Sequence, residues 1–419
     1  MQTFTSIFLS VLAASVLVRL WLTHRQIRHI RAHHARVPDA FADRVPLEDH
    51  QRAADYSCSK LRVGRVMLAW ETLWLLLWTL GGGIDMVDHW WRGASDSPLL
   101  TGIAVIFSVT LIASLLDLPF SLYHTFVIEE RFGFNKTTFG TWLSDLLKTA
   151  VLVVLLGAPL LAAILWLMNQ AGANWWIYAW LLWMGFSLVM IWAYPAFIAP
   201  LFNKFTRLQD ETLRERIEKL LTRCGFQSQG VFVVDGSRRS SHGNAYFTGF
   251  GKNKRIVFYD TLLESLSEDE VEAVLAHELG HYKRKHIRKS LLLSAVVSAI
   301  GFATLAWLMR SDWFYASLGV QTASTHAALI LFMMIMPAFT YFISPVFSAL
   351  SRKHEFEADE FAHSNSDYRA LISALVNLYR DNASTLTPDP LHSMFYDSHP
   401  PASIRIDHLQ QIGSGSSSA

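Results

Sequence analysis

Apolar runs long enough to cross a bilayer recur along this chain, and they restrict its fold more than any other feature. A hydrocarbon core ~30 Å thick takes ~20 largely apolar helical residues. Inside it every backbone polar group must be satisfied within the protein. Seven segments qualify, at 4–23, 66–88, 101–127, 147–168, 175–198, 289–310 and 326–350. Composition agrees: hydrophobic residues make up 52% of the 419 and charged residues 17%, with 15 Trp and 27 Phe. Soluble domains carry nearer a quarter charged residues, and aromatic side chains gather at bilayer interfaces. The first run has no basic n-region and carries Arg19 near its far end, so it reads as a retained anchor rather than a cleaved signal.

Basic residues set the expected orientation. Arg25, Arg28, Arg31, Arg36, Arg44, Arg52, Lys60, Arg62 and Arg65 follow the first run, and 128–146, 199–288 and 351–419 are also rich in Lys and Arg. The connections 89–100, 169–174 and 311–325 have almost none. The two sets alternate, which predicts an outside N-terminus, with the large polar segments and the C-terminus cytoplasmic. A net charge of +1 gives no reason to expect a nucleic-acid partner. Cys58 and Cys224 fall on the expected cytoplasmic side, lack metal-site spacing and read as structural or incidental. Glu71, Asp117 and His124 lie within or beside apolar runs, where ionisable groups line a cavity or pair between helices.

The expected organisation is five spans in 1–202, a polar catalytic region 203–288, two further spans in 289–350, a helical region 351–412 and a flexible tail 413–419. The first polar region opens on an amphipathic helix near 208–224. β-like runs follow at Val231–Val234, Ala245–Phe247 and Arg255–Phe258, separated by turn residues. Ser267 then caps a helix whose first turn holds Glu268, Asp269 and Glu270, where carboxylates suit the helix dipole. The fold class is a mostly α polytopic membrane protein with a zincin-like region containing a small β-sheet.

That helix carries His277-Glu278-Leu279-Gly280-His281. Residues four apart share a helix face, so both imidazoles can converge on one zinc ion. Glu278 is placed to take a proton from water activated by the metal. Five residues with three fixed also arise by chance, as a helix with two half-buried histidines. A third ligand is expected from Glu355, just past the last span on the same side as the His pair. Asp359 shares its face at i+4 and suits a hydrogen bond to a ligating imidazole. His354 and Glu357 compete for the ligand role but point elsewhere on a helix.

Several longer stretches join this box. They are Leu118–Tyr123, Glu129–Lys136, Gly243–Phe247, Lys252–Val257, Glu355–Asp359 and Ser398-His399-Pro400-Pro401. In these, over nearly its whole length, the chain resembles the type I CAAX prenyl endopeptidases, seven-span membrane zinc proteases. The resemblance implies one Zn²⁺ held by His277, His281 and Glu355, with Glu278 as general base. It implies that a protein or peptide substrate lies along an edge strand at Asn244 and Ala245. It places His399 and Arg405 near the catalytic centre, as oxyanion donors; Arg405 could instead bind a substrate carboxylate or hold Glu130. The implied substrate ends in a prenylated cysteine followed by three residues, and membrane lipid surrounds the enzyme. An HtpX-like quality-control protease, or a non-catalytic scaffold with a structural zinc, are the competing readings.

Overall fold

The computed structural model describes residues 3–248 and 255–415. Lys252, Asn253 and Lys254, quoted above for the family resemblance, lie outside the described residues. Six helical stretches are long and apolar enough to cross a membrane: Thr3–Ala32, Pro98–Glu129, Phe139–Gln170, Gly172–Phe202, His286–Leu308 and Thr325–Asn365. The expected span 66–88 departs from a single helix. It divides into Leu47–Trp78 and Gly83–Ala94, bent by 50°, and a seventh crossing exists only if this pair is one span. Gly81-Gly82-Gly83 causes the break. Gly82 adopts a left-handed φ of 75°, and a Cβ at Gly81 would lie 2.7 Å from the Leu77 carbonyl oxygen. Glycine accepts both conditions at little steric cost.

Two cores hold the molecule together. In the helical bundle Phe8, Leu165, Trp175, Phe314 and Leu331 are buried. Leu111, Leu155, Trp166, Leu292 and Ile300 stay exposed on its outside, as lipid-facing side chains do. The second core joins the polar regions through Ile217, Leu220, Phe258, Leu275, Leu279, Ala362, Leu375 and Leu409.

Around this second core lies a four-stranded sheet in the order β1-β2-β4-β3, where β1 is Phe205–Arg207, β2 Val231–Val234, β3 Ala245–Thr248 and β4 Arg255–Tyr259. β2 and β4 run parallel, and β1 and β3 pair antiparallel on either side. β1 has three residues, too few to show alternation in the sequence. Among the described residues β3 has a partner on one side only, so one row of its backbone donors and acceptors is free of strand pairing there.

The motif helix, Glu268–Lys283, begins in a full capping box between Ser267 and Glu270. Arg216 of the Glu211–Arg223 helix binds Asp269 and, at 2.9 Å, Glu272 in its first two turns. The motif helix packs on Ser344–Asn365 at very short range: a Cβ at Gly280 would lie 2.8 Å from Ala358 Cα and 3.0 Å from its carbonyl oxygen. Glycine costs roughly 1 kcal/mol against alanine inside a helix. Here it lets two backbones meet.

Gly280→Ala should therefore push these helices apart. Thermal denaturation in detergent should show a loss of about 1–3 kcal/mol, with reduced metal retention. Gly301→Ala, where nothing lies within 4 Å of the added carbon, should be neutral or slightly stabilising. Equal effects at both positions would refute the close-approach argument.

Candidate metal centre

His277 and His281 project from the motif helix towards Glu355 on the helix Ser344–Asn365. Their facing Nε2 atoms stand 3.2 Å apart. Glu355 completes a triangle, with Oε2 3.5 Å from His277 Nε2 and Oε1 3.3 Å from His281 Nε2. Two ligands each ~2.0–2.1 Å from a tetrahedral ion stand ~3.3 Å apart. The observed edges match that spacing. A buried orphan points the same way: Glu355 Oε2 is enclosed and has no hydrogen-bond partner among the described residues. Such an oxygen is costly without a hydrogen bond or a directly bound cation, and the nearest guanidinium nitrogen, Arg405 Nη1, stays 3.6 Å away.

The outer nitrogens are also held. His277 Nδ1 donates to Asp359 Oδ1 at 2.8 Å, which leaves Nε2 free to ligate. Arg405, itself buried, grips Asp359 with a two-pronged fork, Nε to Oδ2 at 2.8 Å and Nη2 to Oδ1 at 2.5 Å. Its Nη1 lies 3.6 Å from Glu355 Oε2. Arg405 thus orients the carboxylates behind the ligands, while Glu130 is bonded by Asn135 at 2.9 Å. Two buried carboxylates and one guanidinium leave a net negative charge once the histidines are neutral, which favours a divalent cation.

On His281 the support comes from His286 and Glu357, a pairing not visible from residue spacing. His281 Nδ1 lies 3.0 Å from His286 Nδ1, and His286 Nε2 lies 2.9 Å from Glu357 Oε2. With Glu357 accepting from His286 Nε2–H, the His286 Nδ1 lone pair accepts from His281 Nδ1–H. His281 Nε2 is then free for a metal. His354 stacks on the His286 ring at 4.0 Å and 13°, and Lys289 holds Glu357 at 3.3 Å. On a continuous helix, residues five apart are ~140° out of phase. Lys285, at a left-handed φ of 59°, ends that helix and turns the chain, bringing His286 back to His281. A non-glycine residue in that conformation leaves little signal in sequence.

The other expected residues are distributed around this centre. Glu278 is half-buried and forms no hydrogen bond or ion pair among the described residues, so its carboxylate is uncommitted. His399, with a side chain 63% exposed, places Nε2 3.5 Å from Glu355 Oε1. Exposed Asn244 precedes β3 and accepts from Tyr259 N at 2.9 Å through its backbone oxygen. Its side-chain oxygen accepts from Ala245 N at 2.8 Å. An aromatic bridge ties this strand to the metal helix, because Phe226 contacts Phe247 at 5.4 Å and Tyr282 at 4.9 Å. Glu71 and Asp117 line a cavity of about 300 Å³ with Arg19 and three tryptophans. His124 lies 3.6 Å from Glu129.

Burial and nearby Arg405 both oppose a charge on His277. The Asp359 and Glu355 carboxylates outweigh them and push its pKa up to about 9. A metal ion must therefore displace a proton from His277 below that pKa. Affinity measured by chelator competition, with Zn²⁺ as probe, should rise by up to tenfold per pH unit from pH 7 and level off near 9. At constant pH, His286→Phe should lower affinity about 10–100-fold, and His286→Gln, which keeps an acceptor, should lose less. A pH-independent affinity, or an unaltered His286→Phe protein, would contradict these assignments.

Comparison with known proteins agrees with this geometry. Residues 26–204 match the family model described as CAAX prenyl protease N-terminal, five membrane helices, and residues 207–413 match peptidase family M48. The CAAX prenyl protease 1 homolog of Arabidopsis thaliana is 42% identical over 74% of this chain and 74% of its own. The Homo sapiens homolog is 33% identical over 97% of this chain and 96% of its own. The crystal structure of S. mikatae Ste24p superposes with a TM-score of 0.90 at 30% identity, covering 98% of this chain and 99% of that one. The chain belongs to the CAAX prenyl protease branch of peptidase family M48 and is a multi-pass membrane metalloprotease.

Proposed function

We propose that the chain is a zinc endopeptidase that removes the last three residues from proteins ending in a prenylated CAAX sequence. The observation that carries the metal assignment is the triangle of His277, His281 and Glu355, whose 3.2–3.5 Å edges suit a tetrahedral ion. Two imidazoles and a carboxylate with an open fourth position are the donor set of a catalytic rather than a structural zinc. The substrate assignment rests on the relatives, which are CAAX prenyl proteases by name over nearly their full lengths.

His277, His281 and Glu355 would hold the ion. When bound, it supplies Lewis acidity, lowering the pKa of water and polarising the scissile carbonyl. The protein's own residues do the rest. The free edge of β3 pairs with an extended peptide and fixes it through main-chain hydrogen bonds. Glu278, with no partner among the described residues, takes the proton of the attacking water and returns it to the leaving amine. His399, open on one side, donates towards the developing oxyanion. Asp359 and Arg405 keep His277 in the tautomer that presents Nε2.

The basic loops predict an outside N-terminus and a cytoplasmic metal centre. Reporters fused at the N-terminus and after residue 360 should lie on opposite sides of the membrane, and same-side signals would reject that orientation. For the chemistry, Glu278→Gln should retain one zinc per chain yet lose at least ~100-fold in cleavage of a farnesylated CAAX peptide. Turnover near the wild-type rate would remove Glu278 as the base. An unprenylated twin cleaved equally well would show that the lipid is not read.

A further inference from the structure

A second constellation of ionisable groups lies beyond β3. His242, two residues before Asn244, stacks on Phe134 at 4.3 Å and brings Nε2 to 3.4 Å from Glu129 Oε2. Tyr56 donates to the other oxygen of Glu129 at 2.5 Å. Asn382 fixes this end of the strand, with Oδ1 accepting from Gly243 N at 3.0 Å and lying 3.2 Å from His242 Nδ1. Above the Tyr56 ring, 3.9 Å from its centroid, stands the Lys60 ammonium. Glu129 is already occupied by Tyr56 and His242. Lys60 forms no close ion pair or hydrogen bond among the described residues, and the Glu129 carboxylate acts on its charge only from beyond contact.

Two further observations connect this cation with the metal centre. The first is a cavity of about 300 Å³ beside His399, which shares Gln26, Thr385, Tyr396 and Asp397 with one of about 580 Å³ that Lys60 lines. The two cavities therefore adjoin, one bordered by His399 and the other by the ammonium. The second is strand direction. Antiparallel pairing is the more stable arrangement. A peptide antiparallel to β3 runs from Thr248 towards Ala245, so its C-terminal residues leave past Asn244, Gly243 and His242. Three residues beyond a cleaved bond extend ~10 Å. Their terminal carboxylate thus leaves in the direction of His242, which neighbours Tyr56 and, over its ring, Lys60.

We propose that Lys60 is the subsite for the free α-carboxylate of the substrate, measuring three residues from the scissile bond. This rests on the CAAX reading of the substrate. Glu71 and Asp397 line the same cavity without pairing with Lys60, so the ammonium is the cationic end of a mixed wall. Arg19 lines it too, but its guanidinium lies over Tyr341 at 5.2 Å and it also borders the intramembrane cavity of Glu71 and Asp117.

The test uses full-length, zinc-loaded protein and two farnesylated CAAX peptides, one ending in a carboxylate and the other in a carboxamide. Wild type should prefer the acid by at least ~10-fold in kcat/KM, chiefly through KM, as a charge-assisted contact predicts. Lys60→Met should bring that ratio close to one, and Lys60→Arg should keep most of it. Four results overturn the proposal: equal cleavage of both peptides by wild type, an unchanged ratio in Lys60→Met, equal loss on both peptides, or loss of the preference in Arg19→Met instead. If Lys60→Met fails to fold, Lys60→Gln takes its place, and equal cleavage of the two peptides by wild type still overturns the proposal. Cleavage of neither peptide overturns the CAAX reading itself, and this subsite with it.

Discussion

The metal centre depends on how closely two helices approach at Gly280. His277 and His281 are supplied by one helix and Glu355 and Asp359 by the other. A helix pair normally keeps 8–10 Å between axes. The Gly280–Ala358 contact, in which an added Cβ would meet backbone at 2.8 Å, brings the facing side chains into a ligand triangle. Larger residues here would separate the carboxylate from the imidazoles. The glycine's helix-weakening cost is offset by the capping box at Ser267 and by Arg216 on the first turns.

From this contact outward, each nitrogen proposed to ligate is backed by a carboxylate. For His277 the carboxylate is Asp359, itself gripped by Arg405; for His281 it is Glu357, acting through His286. Both arrangements select the tautomer that turns Nε2 inward, and both draw on the helix that carries Glu355. That helix therefore supplies the third proposed ligand and both orienting carboxylates. A disturbance of its position changes ligand geometry, tautomer and charge balance together, which ties metal affinity to packing.

The residues proposed as ligands could be picked out in the sequence because their spacing is local. His277 and His281 obey helix spacing, and Glu355 and Asp359 form a second i,i+4 pair just beyond an apolar run. The β-runs at 231–234 and 255–258, the second one residue short of the observed strand, and the Ser267 cap were legible for the same reason. What sequence hid was non-local or conformational. The 66–88 run shows an unbroken hydropathic signal, yet three consecutive glycines and a left-handed Gly82 bend it. β1 is too short to pattern. His286 joins the site through the φ of Lys285, and Arg405 meets Asp359 from 46 residues away. Spacing on an ideal helix assigns His286 and Glu357 to other faces.

The site helices continue into the membrane-spanning part of the fold. His286, which orients His281, is the first residue of the apolar helix His286–Leu308. Glu355 lies in the last turns of the 41-residue stretch Thr325–Asn365, about twice the length a bilayer needs. Its first half packs in the bundle core through Ala328, Leu331 and Ile335, and its second half presents Glu355 and Asp359. The relative placement of two spans thus sets the position of a ligand and of the group that orients another. A bilayer restricts how such spans shift and tilt, so the ligand triangle inherits its rigidity from helix packing in the membrane as well as from the polar core around the sheet.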